Sequence, residues 1–207
     1  MGQSDNTVAE KTAISGMLPE EIGAVCNLPQ RFQSMQIFQW IARGCSSFED
    51  MTNLPLKERE RLAGEYTPRS TLCETVLKDP DGTVKLGIGL YDGSSIETVL
   101  LLDKHERKTA CVSCQVGCPM GCTFCQTGQL GCLRNLTSNE IVEQFLHLEK
   151  ICGKLDNIVF MGMGEPLLNL DSIAKTIAVL THPKGRNLSH RRITLSTSGI
   201  CKGIYEL

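Results

Sequence analysis

No stretch of about 18 consecutive apolar residues occurs in the sequence, which excludes an obvious membrane span. The N-terminus, Met1-Gly-Gln-Ser-Asp-Asn6, is polar and lacks the apolar core of a secretory signal. A strong charge of one sign is missing as well. The formal net charge is −2, so nothing draws the whole molecule toward nucleic acid, and any RNA contact must come from a local patch. Aromatics are sparse at 5%, within an otherwise globular composition of 41% hydrophobic and 21% charged residues. At 207 residues the chain can bury roughly two-thirds to three-quarters of its unfolded surface, enough for one core with an accessory unit.

What is abundant is cysteine. The sequence holds 11, an odd number, without a signal and clustered around one loop rather than spread along the chain. That pattern opposes a secreted disulfide framework and points to a reducing, cytoplasmic setting. Cys26, Cys45, Cys73, Cys152 and Cys201 are scattered and read as buried small hydrophobes. The remainder concentrate in Cys111-Val-Ser-Cys114-Gln-Val-Gly-Cys118-Pro-Met-Gly-Cys122-Thr-Phe-Cys125 and just beyond, at Cys132.

Taken in order, residues 1–17 form a polar lead-in expected to fray. Residues 18–66 are helical in pattern, with Pro19 before Glu20 and Glu21 as a first turn and an apolar face through Phe32, Met35, Ile37, Phe38, Trp40 and Ile41. The charge run Lys57–Arg61 reads as a solvated helix face. Residues 67–107 switch to β-prone runs separated by Asp79-Pro-Asp-Gly82 and Tyr91-Asp-Gly-Ser94, an antiparallel meander. From residue 108 to 207 strands alternate with helices. Thr109–Val112 leads into the cysteine loop, Thr137-Ser-Asn-Glu140 is a capping box, and Asn157–Met161 and Arg192–Thr197 are further strands. This alternation predicts parallel βαβ units, whose functional loops lie at the carboxyl ends of the strands. The cysteine loop, Gly162-Met-Gly-Glu-Pro166 and Ser196–Gly199 all fall at such ends.

Cys118, Cys122 and Cys125 are spaced C-x3-C-x2-C. A [4Fe–4S] cube takes four thiolates, so three in one short loop leave one iron open for another ligand. Gly117 and Gly121 allow the tight turns that such wrapping needs. The same loop also contains two C-x2-C pairs, Cys111/Cys114 and Cys122/Cys125, a spacing that suits a four-thiolate zinc site. That second reading makes the chain a binding or structural module and leaves Cys118 unused.

The C-x3-C-x2-C loop with Phe124 before its third cysteine resembles the radical S-adenosylmethionine superfamily. The flanking Ala110–Cys118, Cys122–Gly128, Asn135–Gln144, Met161–Asn169 and Arg191–Gly199 resemble its adenine-C2 RNA methyltransferases of the RlmN type. Gln36–Ile41 and Phe48–Pro55 are similar to that family's helical accessory domain, and the resemblance covers about residues 18 to 207.

The resemblance implies a partial parallel (βα) radical SAM barrel, with the helical accessory domain and antiparallel meander before it. It implies a [4Fe–4S] cluster on Cys118, Cys122 and Cys125, and S-adenosyl-L-methionine contacted by Gly164, Glu165 and Ser196. It further implies Cys111 as a resolving thiol that forms a disulfide with a methyl-carrying cysteine beyond Leu207, and Glu97 as the proton acceptor. The implied partners are 23S rRNA and tRNA, plus an electron donor such as flavodoxin or ferredoxin; no membrane is involved and the chain is expected to be a monomer. Lys184, Arg186, His190, Arg191 and Arg192 are the densest basic stretch, with Arg191 and Arg192 expected to open a strand and so to diverge. Cys114 and Cys132 depart from the family pattern and are taken as spectators. Glu97 and Cys111 stand one residue further apart than the family pattern has them. Because the last barrel strands and the methyl-carrying cysteine are expected after Leu207, the chain as given is expected not to complete methyl transfer. Another radical enzyme sharing the cluster loop, or a non-catalytic zinc or RNA-binding module, are the alternatives.

Overall fold

A computed structural model describes residues 11–207 of the chain. The chain enters through β1 (Thr12–Ala13), followed by helices α1 (Pro19–Val25), α2 (Arg31–Ala42) and α3 (Leu56–Glu65), with a single 3-10 turn at Phe48–Asp50. Pro19 opens α1, and the Glu21 carboxylate accepts the Leu18 N–H at 2.8 Å, satisfying an otherwise unpaired donor of the first turn. This helical part contributes Ile22, Ile37, Phe38, Ile41, Met51 and Leu62 to the buried core, the Phe38 ring meeting that of His182 edge-on at 4.8 Å between centroids.

The fraying expected of the lead-in is not found at residues 12–15. Thr12 and Ala13 pair in parallel with β2 (Tyr66–Thr67), Ile14 is fully buried, and the Ser15 hydroxyl donates to Glu143 at 2.6 Å. A short polar segment can be ordered when its few apolar side chains reach a core. The remainder of that lead-in, residues 1–10, lies outside the described residues.

Strands β3 (Leu72–Lys78), β4 (Val84–Gly89), β5 (Ser95–Leu102) and β6 (Lys108–Cys111) form the antiparallel meander. After the hairpin β7 (Gln115–Gly117) and β8 (Cys132–Asn135), with the short α4 (Gln126–Gln129) between them, the chain runs into α5 (Ser138–Cys152), β9 (Asn157–Phe160), α6 (Leu170–Thr181), β10 (Ile193–Leu195) and α7 (Cys201–Glu206). The meander continues directly into the parallel strands as one six-stranded sheet of order β10-β9-β6-β5-β4-β3, β6 being antiparallel to β5 and parallel to β9. The fold is therefore α/β with a mixed sheet.

One face of this sheet carries Leu86, Ile88, Ile96, Leu100, Ala110, Ile158 and Phe160, all buried beneath α5 and α6. Alternate residues on the other face are half-buried or exposed, except Gly89, which is buried. Helix α5 begins with the predicted capping box, the Glu140 carboxylate accepting the Thr137 N–H at 2.8 Å. Every residue from Glu140 to Leu148 is buried, because α5 meets the sheet, α6 and the entering chain on different sides. Its polar residues consequently find partners inside the protein. Glu143 accepts from Ser15, from the backbone and hydroxyl of Ser70, and from the backbone and hydroxyl of Thr71. With the Thr71 hydroxyl donating to Glu143, its oxygen is left to accept from His147 Nε2 at 3.0 Å, and burial holds His147 neutral, down to about 4.

Two expectations are corrected here. Arg191 and Arg192 belong to a 3-10 turn, His190–Arg192, ahead of β10, and both are exposed rather than alternating along a strand. Of the scattered cysteines only Cys26 is fully buried, whereas Cys201 is exposed at the start of α7. Neither helix period nor composition reports which face of so short a helix is covered.

Replacing Glu143 by alanine strands at least two buried backbone donors and two hydroxyls. Glu143→Ala should cost about 3 kcal/mol or more of stability, read from urea unfolding followed by circular dichroism. A loss under about 1 kcal/mol would show that the carboxylate does not tie the entering chain to α5.

Candidate active site

The loops after β6, β9 and β10 all leave the carboxyl ends of the parallel strands, and hydrogen bonds join them in series. Gly162 N–H donates to the Val112 carbonyl at 3.1 Å, Met163 N–H to Ser113 Oγ at 3.0 Å, and Cys114 N–H to the Met163 carbonyl at 2.8 Å. Glu165 N–H donates to Gln115 Oε1 at 2.9 Å. The Glu165 carboxylate, itself buried, accepts from Thr197 Oγ1 at 2.6 Å, Ser198 N–H at 2.8 Å, Ser198 Oγ at 2.7 Å and Leu167 N–H at 3.1 Å. Those donors fill the roughly four lone-pair sites of a carboxylate. Burial works against the charge, but the Ser198 and Thr197 donors outweigh it and hold Glu165 below the usual carboxylate range. Gly164, with φ of 107°, is packed so closely on Cys114 and Gln115 that a Cβ there would come within 2.8 Å of the Cys114 sulfur. Ser196 follows β10 directly and is exposed beside this junction.

The cysteine loop is clamped by the β7–β8 hairpin. Cys118 N–H donates to the Gly131 carbonyl at 2.7 Å, and Gly117, at φ 83°, lies so near that a Cβ would stand 2.0 Å from that oxygen. Arg134 in β8 braces the hairpin from outside, pairing with Asp92 at 2.7 Å and Glu140 at 2.8 Å. Phe124 projects almost fully into solvent, 92% exposed, so the aromatic of the motif is not part of the core.

Among the described residues, no group of three His, Cys, Asp or Glu side chains is gathered closely enough to hold a metal ion. The structure thus brings Cys118, Cys122 and Cys125 onto one loop but does not converge their sulfurs. The donor set nonetheless fits an iron–sulfur cluster: three soft thiols lie on a loop whose glycines take conformations denied to other residues, and backbone N–H groups of Gly128 and Thr127 shift Cys125 toward thiolate, the ligating form. The zinc arrangement fares worse. Cys114 is 2% exposed, packed under Gly164, and burial pushes its thiol up to about 12, so one of the four required sulfurs is held away as a neutral thiol. Cys132 is exposed on β8, opposite Gly117. All 11 cysteines are free, including Cys111, so the implied disulfide is not formed within the described residues.

Glu97 and Cys111 share the open face of the sheet. Cys111 pairs across β5 with Val99, and Glu97 is the next residue on that face toward the loops. The Ser113 hydroxyl donates to the Glu97 carbonyl at 2.6 Å, tying the strand that carries this carboxylate to the root of the cysteine loop. Burial raises the Cys111 thiol, keeping it protonated until something withdraws the proton.

Comparison with known proteins decides the family. Residues 112–206 match the model of the radical SAM superfamily, and residues 28–67 match that of the ribosomal RNA large subunit methyltransferase N-terminal domain. A probable dual-specificity RNA methyltransferase RlmN of Treponema denticola is 64% identical over 197 residues, and its counterpart in Treponema pallidum is 59% identical over 195. The chain belongs to the radical SAM superfamily, in its RlmN branch. A crystal structure of a radical SAM methyltransferase from Sphaerobacter thermophilus, 38% identical, superposes with a TM-score of 0.86 over 94% of this chain and 59% of that one. The chain spans 57% of the length of the two Treponema relatives.

Two residues that hold this candidate site together were given no role from sequence. Gln144 of α5 binds both the N–H and the carbonyl of Ser113, at 2.8 and 3.0 Å, and Asn169 donates to the Cys114 and Leu136 carbonyls, each at 2.8 Å. Each closes a stretch that matched the family, but a matching stretch does not say which backbone groups its polar side chains bind. The basic stretch divides: Arg186 is a structural residue, bonded to Glu149 and the Leu155 carbonyl and lying over the Phe145 ring, while Arg191 remains exposed.

Gly117→Ala should abolish cluster retention, measured as iron and sulfide after anaerobic reconstitution, with the helical circular dichroism signal kept. Cys114→Ala should leave iron content unchanged; loss of metal in that variant would restore the zinc arrangement.

Proposed function

We propose that the chain supplies the cluster-binding half of a radical S-adenosylmethionine methyltransferase that methylates C2 of an adenine in 23S rRNA and tRNA. The observation that carries this reading is the meeting of the cysteine loop, the Gly164-Glu165 loop and the Ser196 loop at one end of a sheet whose open face presents Glu97 and Cys111. The names of the Treponema relatives, dual-specificity RNA methyltransferases, support the RNA substrates.

A [4Fe–4S] cluster held by Cys118, Cys122 and Cys125, with S-adenosylmethionine beside it, would supply the radical chemistry needed to methylate an aromatic carbon that has no nucleophilic character. The chain's own residues do the positioning. Gly164 and Glu165 form the methionine-moiety subsite, Gly164 through close backbone approach and Glu165 by holding the Thr197-Ser198 loop. An incoming ammonium would meet Glu165 by displacing one of its hydroxyl donors. Ser196 contributes from the exposed end of β10. Glu97 takes up the proton from the attacked carbon, and Cys111 is the resolving thiol: its deprotonated sulfur forms a disulfide with the methyl-carrying cysteine as that cysteine's sulfur–carbon bond to the product breaks, the carbon leaving with the electron pair and then taking up a proton.

In this reading the mixed sheet is the first part of a (βα) barrel and the domain limits are 18–66, 67–107 and 108–207. The helices of 18–66 and exposed Arg191 and Arg192 face RNA, and a flavodoxin or ferredoxin delivers the electron. The protein works as a cytoplasmic monomer. No helix among the described residues is long and apolar enough to cross a membrane.

Anaerobic reconstitution followed by reduction tests the proposal. The chain should cleave S-adenosylmethionine to 5′-deoxyadenosine, and Cys118→Ala should not. A colourless protein holding one zinc per chain would end it. RNA affinity should fall steeply with added salt, by the counterion release that phosphate contacts produce.

A further inference from the structure

The open face of the sheet carries one feature that the reaction scheme does not use. Lys85 of β4 reaches diagonally to Glu97 of β5, with Nζ 2.9 Å from Oε1. The residue directly opposite Glu97 is Gly87, which has no side chain to offer, so the contact is made from the adjacent register position. Lys85 pairs with Val99, Val99 with Cys111, Cys111 with Val159 and Val159 with Thr194, so Lys85 stands in the same transverse row as the resolving thiol. The other strand lysines of this sheet, Lys78 and Lys108, register with Val84 and Leu102 on the helix-covered face. Among the described strand residues, Lys85 is therefore the one cation on the reaction face.

We propose that Lys85 is the positioning residue of Glu97, holding Oε1 so that the ionised carboxylate presents Oε2 over the face that carries Cys111. The inference rests on the reading of Glu97 as proton acceptor and concerns the placement of that carboxylate alone. A carboxylate on a β-strand has free rotation about its side-chain torsions, and an ammonium anchored on a neighbouring strand removes much of it. Gly87 and Gly89, opposite Glu97 and Ser95, place no β4 side chain beside them. The space above them is taken from β3, where the Thr75 hydroxyl accepts Gly87 N–H at 3.2 Å and the Glu74 carboxyl covers Gly89. The titratable groups facing the pair are Glu74 from β3, Asp79 from the β3–β4 turn and Cys111 from β6.

The pair is 42% and 57% exposed at its two side chains, so its worth lies in geometry more than in stability. Substituting Lys85 should leave the fold intact by circular dichroism. In the chain labelled with 13C-carboxyl glutamate, with Glu97→Gln assigning the resonance, Lys85→Ala should displace the Glu97 carboxyl signal at neutral pH, and Lys85→Arg should restore it. In methyl-transfer assays of the holoenzyme, Lys85→Ala should lower kcat by about tenfold with KM for RNA unchanged, Lys85→Arg recovering most of the loss. A Glu97 signal indifferent to Lys85→Ala overturns the pairing. An undiminished kcat with a displaced signal overturns the positioning role. Undiminished methyl transfer by Glu97→Gln overturns the proton-acceptor reading itself, an outcome the NMR comparison cannot produce and does not share.

Discussion

A carboxylate placed in the middle of a protein must be given donors, and the chain meets this demand at Glu143 by drawing two separate segments onto one helix. Ser15 arrives from the entering strand, Ser70 and Thr71 from the connection between the helical part and the sheet, and Glu143 itself from α5. Removing the carboxylate would leave these donors without an acceptor, at a cost of several kcal/mol. The same helix repeats the device on either side. Glu140 receives Arg134 from the hairpin around the cysteine loop, and Gln144 grips both backbone groups of Ser113 at the loop's root. α5 is thus the common reference for the helical part and for the cysteine loop, and the apolar residues between, Ile141, Val142, Phe145 and Leu148, add the burial that makes its position stiff.

At the carboxyl ends of the strands the same logic operates on a smaller scale. Glu165 spends its accepting capacity on the loop after β10, and its N–H on Gln115, so three loops that belong to three strands behave as one body. Pre-organisation of this kind is what a site must have if a radical is to be generated beside one particular atom and nowhere else. The division of the sheet into a covered and an open face completes the arrangement: aliphatic side chains go beneath the helices, and Lys85, Glu97 and Cys111 remain on the face left to a substrate.

The sequence was most legible where chemistry depends on local spacing. The C-x3-C-x2-C loop, the capping box at Thr137 and Glu140, the turn sequences of the meander and the strand–helix alternation each concern residues within a few positions of one another, and each is found in the structure. The β7–β8 hairpin was missed because its strands are three and four residues long and carry no alternation. Residues 12–15 were misjudged because the partners that order them lie far off in sequence, Thr12 and Ala13 pairing with Tyr66 and Thr67 and Ser15 bonding Glu143 128 positions away.

Amino-acid identity by itself determined the family and the order of the elements, since these follow from residue types at short range. Only the tertiary structure decided what each polar group does. Gln144, Ser113 and Asn169 become supports, Glu165 becomes a latch, Arg186 leaves the basic patch for the core, and Lys85 joins Glu97 across strands. A hydrogen bond or ion pair is fixed by distance in space, and sheet register and helix packing set those distances between residues that the sequence keeps far apart.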